Sequence, residues 1–562
     1  MNNVVDLTQI DNPVREQNEL QLSKYKKELQ QKGGLSVAFN KSSEPLEEAI
    51  SVYNGKHVVN VTLFSHKFLN MFSIYAHNSL GGQFLYDDET GLWNDLDIPD
   101  NEYPVVGIYH MLIKPMFYRT LLQDDNTGQL TTALQKAAQE IAGATKAQGI
   151  GTGLGQYKND GLVLFNDGRV YDFDLQDVRR VKKEDYMTKR FEYPIVENED
   201  GGAIKEWLDF VLQDSAKAFY EYIGSAFIQR PIYNVFAFAV NGLIDENVKS
   251  NGGNGKSEVL SFIANHVFGK ENSATLSLPD LLQADDRKII NLHQKFLNID
   301  SETPETFIND TSKLKGLTGT GARTIDRKYK SSIIMENRAK LLFATNNVPQ
   351  FRDDSSAMER RLMIIPFNRD FKGKDAEEGR KWYSNELKAL RQSDTELGKF
   401  AYYCIKQFEA LYNEKGVSAN NPFSMSETAI KLRDKTINDN NPAKHFIDEC
   451  SVIEFTDDKE CMVPQGVLYD MYLAYHKLTN TKTVNKPTFK KYLDDFIPAG
   501  DGNIKANGKK RMFHVTSTKA YQGIKFVKAE FETDADKRAF ESLEAKFQNS
   551  IGKNIFDDIF YR

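Results

Sequence analysis

The chain has 562 residues, 40% apolar and 27% charged, which at about 100–200 residues per domain is enough for several buried cores. Its 72 Lys+Arg against 79 Asp+Glu give a formal charge of −7, which excludes a uniformly basic nucleic-acid coat but leaves room for a local basic patch. Three scattered cysteines, Cys404, Cys450 and Cys461, exclude a disulfide framework or zinc cluster and point to a reducing, cytoplasmic setting. No apolar run approaches the about 20 residues that span a bilayer, and the N-terminus lacks the basic-then-apolar pattern of a signal peptide.

In chain order, residues 1–50 are polar, with a helix expected over 19–31 that Gly33-Gly34 ends. Phe84-Leu85-Tyr86 and Leu92-Trp93 flank the turn residues 87–91 and predict a β-hairpin. A second hairpin is expected over 162–173, around Asn166-Asp167-Gly168. Residues 129–142 between them have helical composition, broken by the glycine-rich stretch 149–155. A helical pair is expected over 203–228, with Trp207, Phe210, Val211, Phe219, Tyr222 and Ile223 on apolar faces. Continuous apolar runs at 235–240, 295–299 and 340–344 read as strands buried on both faces of a sheet, separated by helical patterns as in an α/β unit. Helices dominate 375–415, and a Ser/Asn/Pro linker at 418–422 closes the block.

The strand at 235–240 leads to Gly252-Gly253-Asn254-Gly255-Lys256-Ser257, followed by a helical pattern over 258–267. Such a turn lets consecutive backbone N–H groups face a phosphate chain, with the positive end of the helix behind them. Lys256 would reach the β- and γ-phosphates, and the Ser257 hydroxyl would ligate Mg²⁺. A Gly-x4-Gly-Lys-Ser spacing would need glycine at position 250, where this chain has Ser250; Gly242 then serves as the first glycine, with about eight residues inserted after it. A Gly/Asn-rich surface turn is the alternative. Phe296-Leu297-Asn298-Ile299-Asp300-Ser301-Glu302 is an apolar strand ending in carboxylates. Asp300 can hold Mg²⁺ directly or through water, and Glu302 can polarise the attacking water. The strand ending at Asn346-Asn347 offers amides to the γ-phosphate or the water, and Arg360-Arg361 is either a surface pair or an arginine finger for a neighbouring subunit's nucleotide.

These segments, with Asp-Ser-Glu-Thr-Pro, Leu-Lys-Gly-Leu-Thr-Gly, Ala-Thr-Asn-Asn-Val-Pro-Gln-Phe-Arg-Asp-Asp and Arg-Arg-Leu-Met-Ile-Ile-Pro-Phe, resemble superfamily 3 helicases, most closely the phage and plasmid primase/helicase family. Residues 160–164 through Tyr186-Met187-Thr188-Lys189-Arg190 look like the segment preceding the helicase in that family, and the resemblance covers about residues 80–530. It implies a hexameric ring of AAA+-like ATPase domains with sites at subunit interfaces and 3′-to-5′ travel on single-stranded DNA. By that resemblance Lys256 and Ser257 match the Walker A pair, Asp300 and Glu302 Walker B, Asn346 the sensor asparagine, and Arg360 or Arg361 the finger. Thr318-Gly319 and the residues up to Lys330 match a hairpin that faces the channel, although the family has Gly-Gly-Asp where this chain has Gly319-Thr320-Gly321.

Independently of family, Arg323, Arg327, Lys328 and Lys330 flank Tyr329, and cations around an aromatic suit a phosphate backbone with a stacked base. Residues 482–528 carry eleven Lys/Arg and three acids. Helices are expected over 465–477 and from Lys486-Pro487, then strands over 504–513 and 519–526, the outline of a winged helix. Lys490 and Lys491 would lie on the groove-entering helix and Lys509, Lys510 and Arg511 on the wing; a charged face on an ordinary small domain is the alternative. The run Arg179-Arg180-Val181-Lys182-Lys183 meets Glu184 and Asp185 at once and reads as a solvated face. Asp172-Phe173-Asp174 and Asp95-Leu96-Asp97 have the form of polymerase metal sites but sit beside hairpins, and about 80 residues upstream of the matched region are too few for a primase domain.

The expected fold class is multidomain α/β, an AAA+-like P-loop ATPase core with an α+β N-terminal region and a C-terminal winged helix. The expected units are 1–80 of unknown role, 81–202 α+β, a helical collar at 203–230, the ATPase at 231–440, the winged helix at 441–529 and an acidic helical tail at 530–562. The expected function is an ATP- and Mg²⁺-dependent DNA helicase, a homo-hexamer that starts replication of a mobile genetic element at its origin. Its partners would be single- and double-stranded DNA and host replication proteins, and it would have no membrane contact. The alternative is an ATP-switched DNA-binding initiator or regulator without unwinding.

Overall fold

The computed structural model describes residues 43–53, 56–76, 83–96, 108–117, 127–148, 159–242, 253–282, 286–303, 311–327, 330–346, 356–382, 392–417, 421–440, 453–455, 462–479, 483–496, 520–522 and 524–526, with a few single positions between them. The helix expected over 19–31 lies outside them apart from one helical position at Lys24, and the stretch 149–155 lies outside them entirely.

The first unit begins with the hairpin β1 (Ile50–Tyr53) and β2 (Lys56–Val59) and helix α1 (Val61–Met71), whose Asn60 cap accepts from the Leu63 amide. A three-stranded antiparallel sheet follows, β3 (Ile74–Ala76), β4 (Gln83–Asp87) and β5 (Leu92–Asp95), then helix α2 (Thr127–Gln148). The hairpin expected around residues 87–91 is the β4–β5 turn. Helix α2 outruns the 129–142 expectation at both ends; its Leu130, Leu134, Ala138 and Ile141 pack with Phe64 and Phe68 of α1 in one core.

A second antiparallel sheet holds β6 (Leu162–Leu164), β7 (Arg169–Asp172) and β8 (Asp177–Arg180), and the second expected hairpin is β6–β7. In the basic run at its end Arg180 and Lys182 are exposed, as a solvated face requires, while Arg179 and Lys183 are tied down. Arg179 is ion-paired with Asp172 at 3.0 Å and Asp185 at 2.8 Å, and Lys183 donates to Ser73 Oγ at 2.6 Å. Asp174 is held by Arg230, so the Asp172–Asp174 pair is taken up by arginines.

The helical pair is α3 (Gly202–Leu212) and α4 (Ala216–Phe227). Beyond it lies a five-stranded parallel sheet of β9 (Phe236–Asn241), β10 (Ser273–Ala274), β11 (Leu297–Asp300), β14 (Lys340–Ala344) and β15 (Leu362–Phe367), in the order β10-β11-β14-β9-β15. Between these strands run α5 (Lys256–Phe262), α6 (Ser312–Thr318) and the hairpin β12 (Arg323–Arg327)–β13 (Lys330–Met335). After β15 come α7 (Asp394–Lys415) and α8 (Glu427–Asn440). The continuous apolar runs have their physical reason here. Alternate side chains of each strand go to opposite faces. Ala237, Ala239, Ile299, Leu342 and Ile365 pack with α3, α4, α5 and α7, while Phe236, Phe238, Val240, Leu341, Phe343 and Ile364 pack with α6 and the hairpin. Lys340, buried at a strand start, donates to the Tyr233 carbonyl at 3.0 Å, and burial pushes its amine down to about 8. The first of these cores runs without a break from Val163 and Tyr171 through α3 and α4 into the parallel sheet.

At the C-terminal end, β16 (Ile453–Phe455) pairs with β19 (Ile524–Phe526), and β17 (Met462–Pro464) with β18 (Ala520–Gln522), around α9 (Gln465–Thr479) and α10 (Lys486–Phe496). Both helices stand where expected, and Tyr472 meets Phe489 at 4.4 Å between ring centroids. The strand expected over 519–526 instead forms two pieces, each paired with a strand that precedes the helices. The strand expected over 504–513 lies outside the described residues.

Helix α4 packs against α7 closely enough that a Cβ on Gly224 would stand 2.0 Å from the Cys404 carbonyl oxygen. Because that atom is backbone and cannot yield cheaply, Gly224→Ala is expected to cost about 1–3 kcal/mol, read as a lower urea midpoint. Gly143→Ala on α2, where a Cβ would meet nothing within 4 Å, is expected to leave the midpoint unchanged or raise it. Equal midpoints for the two variants would contradict this packing.

Candidate nucleotide site

Open parallel sheets bind ligands beyond the carboxyl ends of adjacent strands whose connections leave in opposite directions. Here those strands are β9 and β14. From β9 the chain crosses to the far edge at β10, and from β14 it crosses back over β9 to β15. The sequence-predicted phosphate-binding residues gather at that point.

Gly253 (φ 95°) and Gly255 (φ 86°) hold left-handed backbone that side-chain-bearing residues rarely adopt, and Gly255 caps α5. Lys256 is the first residue of α5, 9% exposed, and its Nζ donates to Oδ1 of Asn241, the last residue of β9. Asn241 Nδ2 in turn donates to Asn346 Oδ1 at 3.3 Å, just past β14. One polar line therefore joins the loop lysine to the residue expected to read the γ-phosphate. Burial pushes the Lys256 amine down to about 8. Ser257 is exposed beside it, and Gly252 lies outside the described residues.

The loop is held from behind by a segment that sequence reasoning missed. After β15 the chain turns so that Phe371 N donates to the Gly253 carbonyl at 3.1 Å and Asn254 Nδ2 donates to the Arg369 carbonyl at 2.6 Å. The Lys372 side chain lies against Gly253, where a Cβ would stand 2.7 Å from its Cγ. Arg369 is fixed by Asp375 at 3.1 Å and by the face of Phe210 at 4.2 Å. Asn241 was missed as well. Both sets of contacts join residues far apart in sequence.

Asp300, at the end of β11, is 9% exposed. Its Oδ2 accepts from Leu278 N at 3.1 Å and Thr303 Oγ1 at 2.8 Å, and its Oδ1 from Glu302 N at 3.3 Å. A carboxylate offers about four acceptor positions, so three are used and one is left for a cation or its water. Ser257 and Asp300 are hard oxygen donors of the kind Mg²⁺ takes. Among the described residues, no group of three or more His, Cys, Asp or Glu is arranged to hold a metal by itself. Glu302 is exposed, on a turn pinned where Thr303 N donates to the Ala344 carbonyl at 2.7 Å.

Arg360 and Arg361 are not brought to this cluster. The Arg361 carbonyl accepts from Phe236 N at the start of β9. The pair thus stands at the amino edge of the sheet, six residues before Phe367, or about 20 Å at the usual strand rise. In the β12–β13 hairpin, Arg327 pairs with Lys330 across the turn, while Lys328 and Tyr329 lie outside the described residues. Ile325 and Met335 anchor its base, and Ile334 is 77% exposed. On α10, Lys490 is partly buried between the buried Phe489 and Leu493, and Lys491 follows it. Lys509, Lys510 and Arg511 lie outside the described residues.

A family model described as a family of unknown function (DUF5906) matches residues 248–361, which include the loop, Asp300, Asn346 and both arginines. The chain is 24% identical over 390 residues to a putative helicase, 184R, of Invertebrate iridescent virus 6, covering 62% of this chain and 37% of that protein. It thus spans little more than a third of that relative's length. Among solved structures, the apo C-terminal region of NrS-1 is similar at 14% identity and a TM-score of 0.38, over 80% of this chain and 98% of that one. A second form is similar at 13% and 0.34, over 56% and 75%. Among the described residues, no helix is long and apolar enough to cross a membrane.

Lys256 must carry its proton to hold a phosphate. With the amine pushed down to about 8, that charge is present below this pH and is lost as pH rises through it. On the sequence-based expectation that this loop holds Mg·ATP, its affinity, titrated with a fluorescent analogue, is expected to fall above about pH 8 by up to about tenfold per pH unit. A flat affinity between about pH 7 and 9 would contradict this assignment.

Proposed function

We propose that the protein is an ATP-driven DNA helicase that opens a replication origin of a mobile genetic element. The observation that carries this reading is the polar line Lys256–Asn241–Asn346 across the switch point of the parallel sheet, with Asp300 at the end of the next strand. The similarity to a putative viral helicase supports the same reading.

In this account ATP lies on the loop of residues 252–257, with the α5 amino end and Lys256 facing its β- and γ-phosphates. Ser257 and Asp300 would hold Mg²⁺, which neutralises charge developing on the transferred phosphoryl group. Glu302 orients and deprotonates the attacking water, and Asn346 holds that water or the γ-phosphate. Lys256 must leave Asn241 to meet the nucleotide, which frees Asn241 Oδ1 while its Nδ2 stays on Asn346. Arg360 and Arg361, far from their own loop, serve the nucleotide of the neighbouring subunit, so turnover requires an assembled ring, with a hexamer and 3′-to-5′ travel as the expected form. The β12–β13 hairpin carries Arg327, Lys328 and Lys330 to one DNA strand. The α9–α10 unit, folded as a winged helix, brings Lys490, Lys491, Lys509, Lys510 and Arg511 to the origin duplex.

Glu302→Gln separates this motor from an ATP-switched DNA-binding initiator. The variant is expected to keep ATP and DNA binding, to lose about 10²-fold or more in DNA-stimulated ATP turnover, and to unwind no forked duplex in a strand-displacement assay. Unwinding at the wild-type rate would contradict the motor and the role given to Glu302.

A further inference from the structure

A cavity of about 50 Å³ lies between the β6–β8 unit and the amino edge of the parallel sheet. On the same measure one ordered water needs about 10–15 Å³, so there is room for a larger group. Thr188 and Lys189 line it from the segment after β8, His293 and Gln294 from the approach to β11, and Glu336 and Arg338 from the approach to β14. The Thr188-Lys189 step belongs to the segment singled out in the sequence, to which the nucleotide site gives no role.

Among the described lining residues the charged groups are Lys189, Arg338 and Glu336. Glu336 is committed to Arg338 at 3.0 Å, with side chains 19% and 10% exposed. Lys189 is half-buried, and Glu271 is the carboxylate whose charge acts on it. Burial lowers its pKa, opposed only by the charge of Glu271. Its neighbour Lys295 is spent on the Lys270 and Glu271 carbonyls at 3.1 and 2.7 Å. Gln294 holds left-handed backbone at φ 57°, and such strain in a residue other than glycine clusters at ligand sites. A half-buried lysine and an arginine lining one void, with neutral donors around it, make an environment that an oxyanion stabilises.

We propose that this cavity binds a phosphate group, held by Lys189 and Arg338 with Thr188 and Gln294 as neutral donors. It is a different site from the loop at Lys256. Phe296, in its wall, precedes β11, and Asp300 ends that strand about 13 Å away at the usual rise. The phosphate comes either from a nucleic-acid backbone passing between the two units or from a free anion.

The test is thermal unfolding of the full chain in inorganic phosphate against sodium chloride of equal ionic strength, in a Lys256→Ala background that disables the loop. Phosphate is expected to raise Tm by about 2 °C or more. Adding Lys189→Met removes the shift, and Lys189→Arg retains it. Should the methionine variant not fold, Thr188→Val is expected to reduce the shift by half or more. No shift in the Lys256→Ala protein, or a shift unchanged by Lys189→Met or by Thr188→Val, overturns the proposal. With Lys189 dependence in hand, a dT12 oligonucleotide that reproduces the shift identifies a backbone phosphate. A shift given by phosphate alone identifies a free anion.

Discussion

The structure depends on the confinement of β9. It is hydrogen-bonded to β14 on one edge and β15 on the other, with packed cores on both faces, so Phe236 to Val240 are all fully or almost fully buried. A strand so enclosed has no place for a polar side chain until it emerges, and it emerges at Asn241. That residue is the first polar group available at the switch point, and it meets Lys256 on one side and Asn346 on the other. The rigidity of the sheet becomes precision in the site, because the three groups stand on or next to elements that cannot shift separately.

The same sheet divides the molecule's charge chemistry by edge. The carboxyl edge gathers Lys256, Asp300, Glu302 and Asn346, with the 369–372 segment bracing the loop from behind. The amino edge carries Arg360 and Arg361 together with the cavity around Lys189 and Arg338. The arginine pair stands at the opposite end of β15 from Phe367, about 20 Å along the strand, and the proposed finger role would make assembly a requirement of turnover. Bracing through Asn254 and the Arg369 and Phe371 backbone also keeps Gly253 and Gly255 in conformations that cost entropy to hold.

Much of this was legible in the sequence because burial on both faces leaves an unmistakable trace. The run at 340–344 became β14 residue for residue, despite a lysine at its start, since Lys340 can reach a carbonyl while its stem stays buried. Both upstream hairpins followed from their turn residues, and α10 from Pro487 in its first turn. The strand-end positions of Asp300 and Asn346 were readable for the same reason as the strands. What could not be read was tertiary. Asn241 looks like any strand-terminal asparagine until its partners, 15 and 105 residues on, are in place. Arg369 to Lys372 drew no reading from the sequence, and the pairing of residues 524–526 with 453–455 and of 520–522 with 462–464 depends on strands on the far side of two helices. The stretch 179–183 read as a solvated face, whereas Arg179 is a structural tie between Asp172 and Asp185.

The central claim is that the Lys256 loop turns over ATP in service of work on DNA. The most direct measurement is steady-state ATP hydrolysis with and without single-stranded DNA, comparing the wild type with Lys256→Ala. The account predicts hydrolysis that DNA stimulates and that the substitution abolishes. Absence of hydrolysis under both conditions, or hydrolysis indifferent to Lys256, would contradict it.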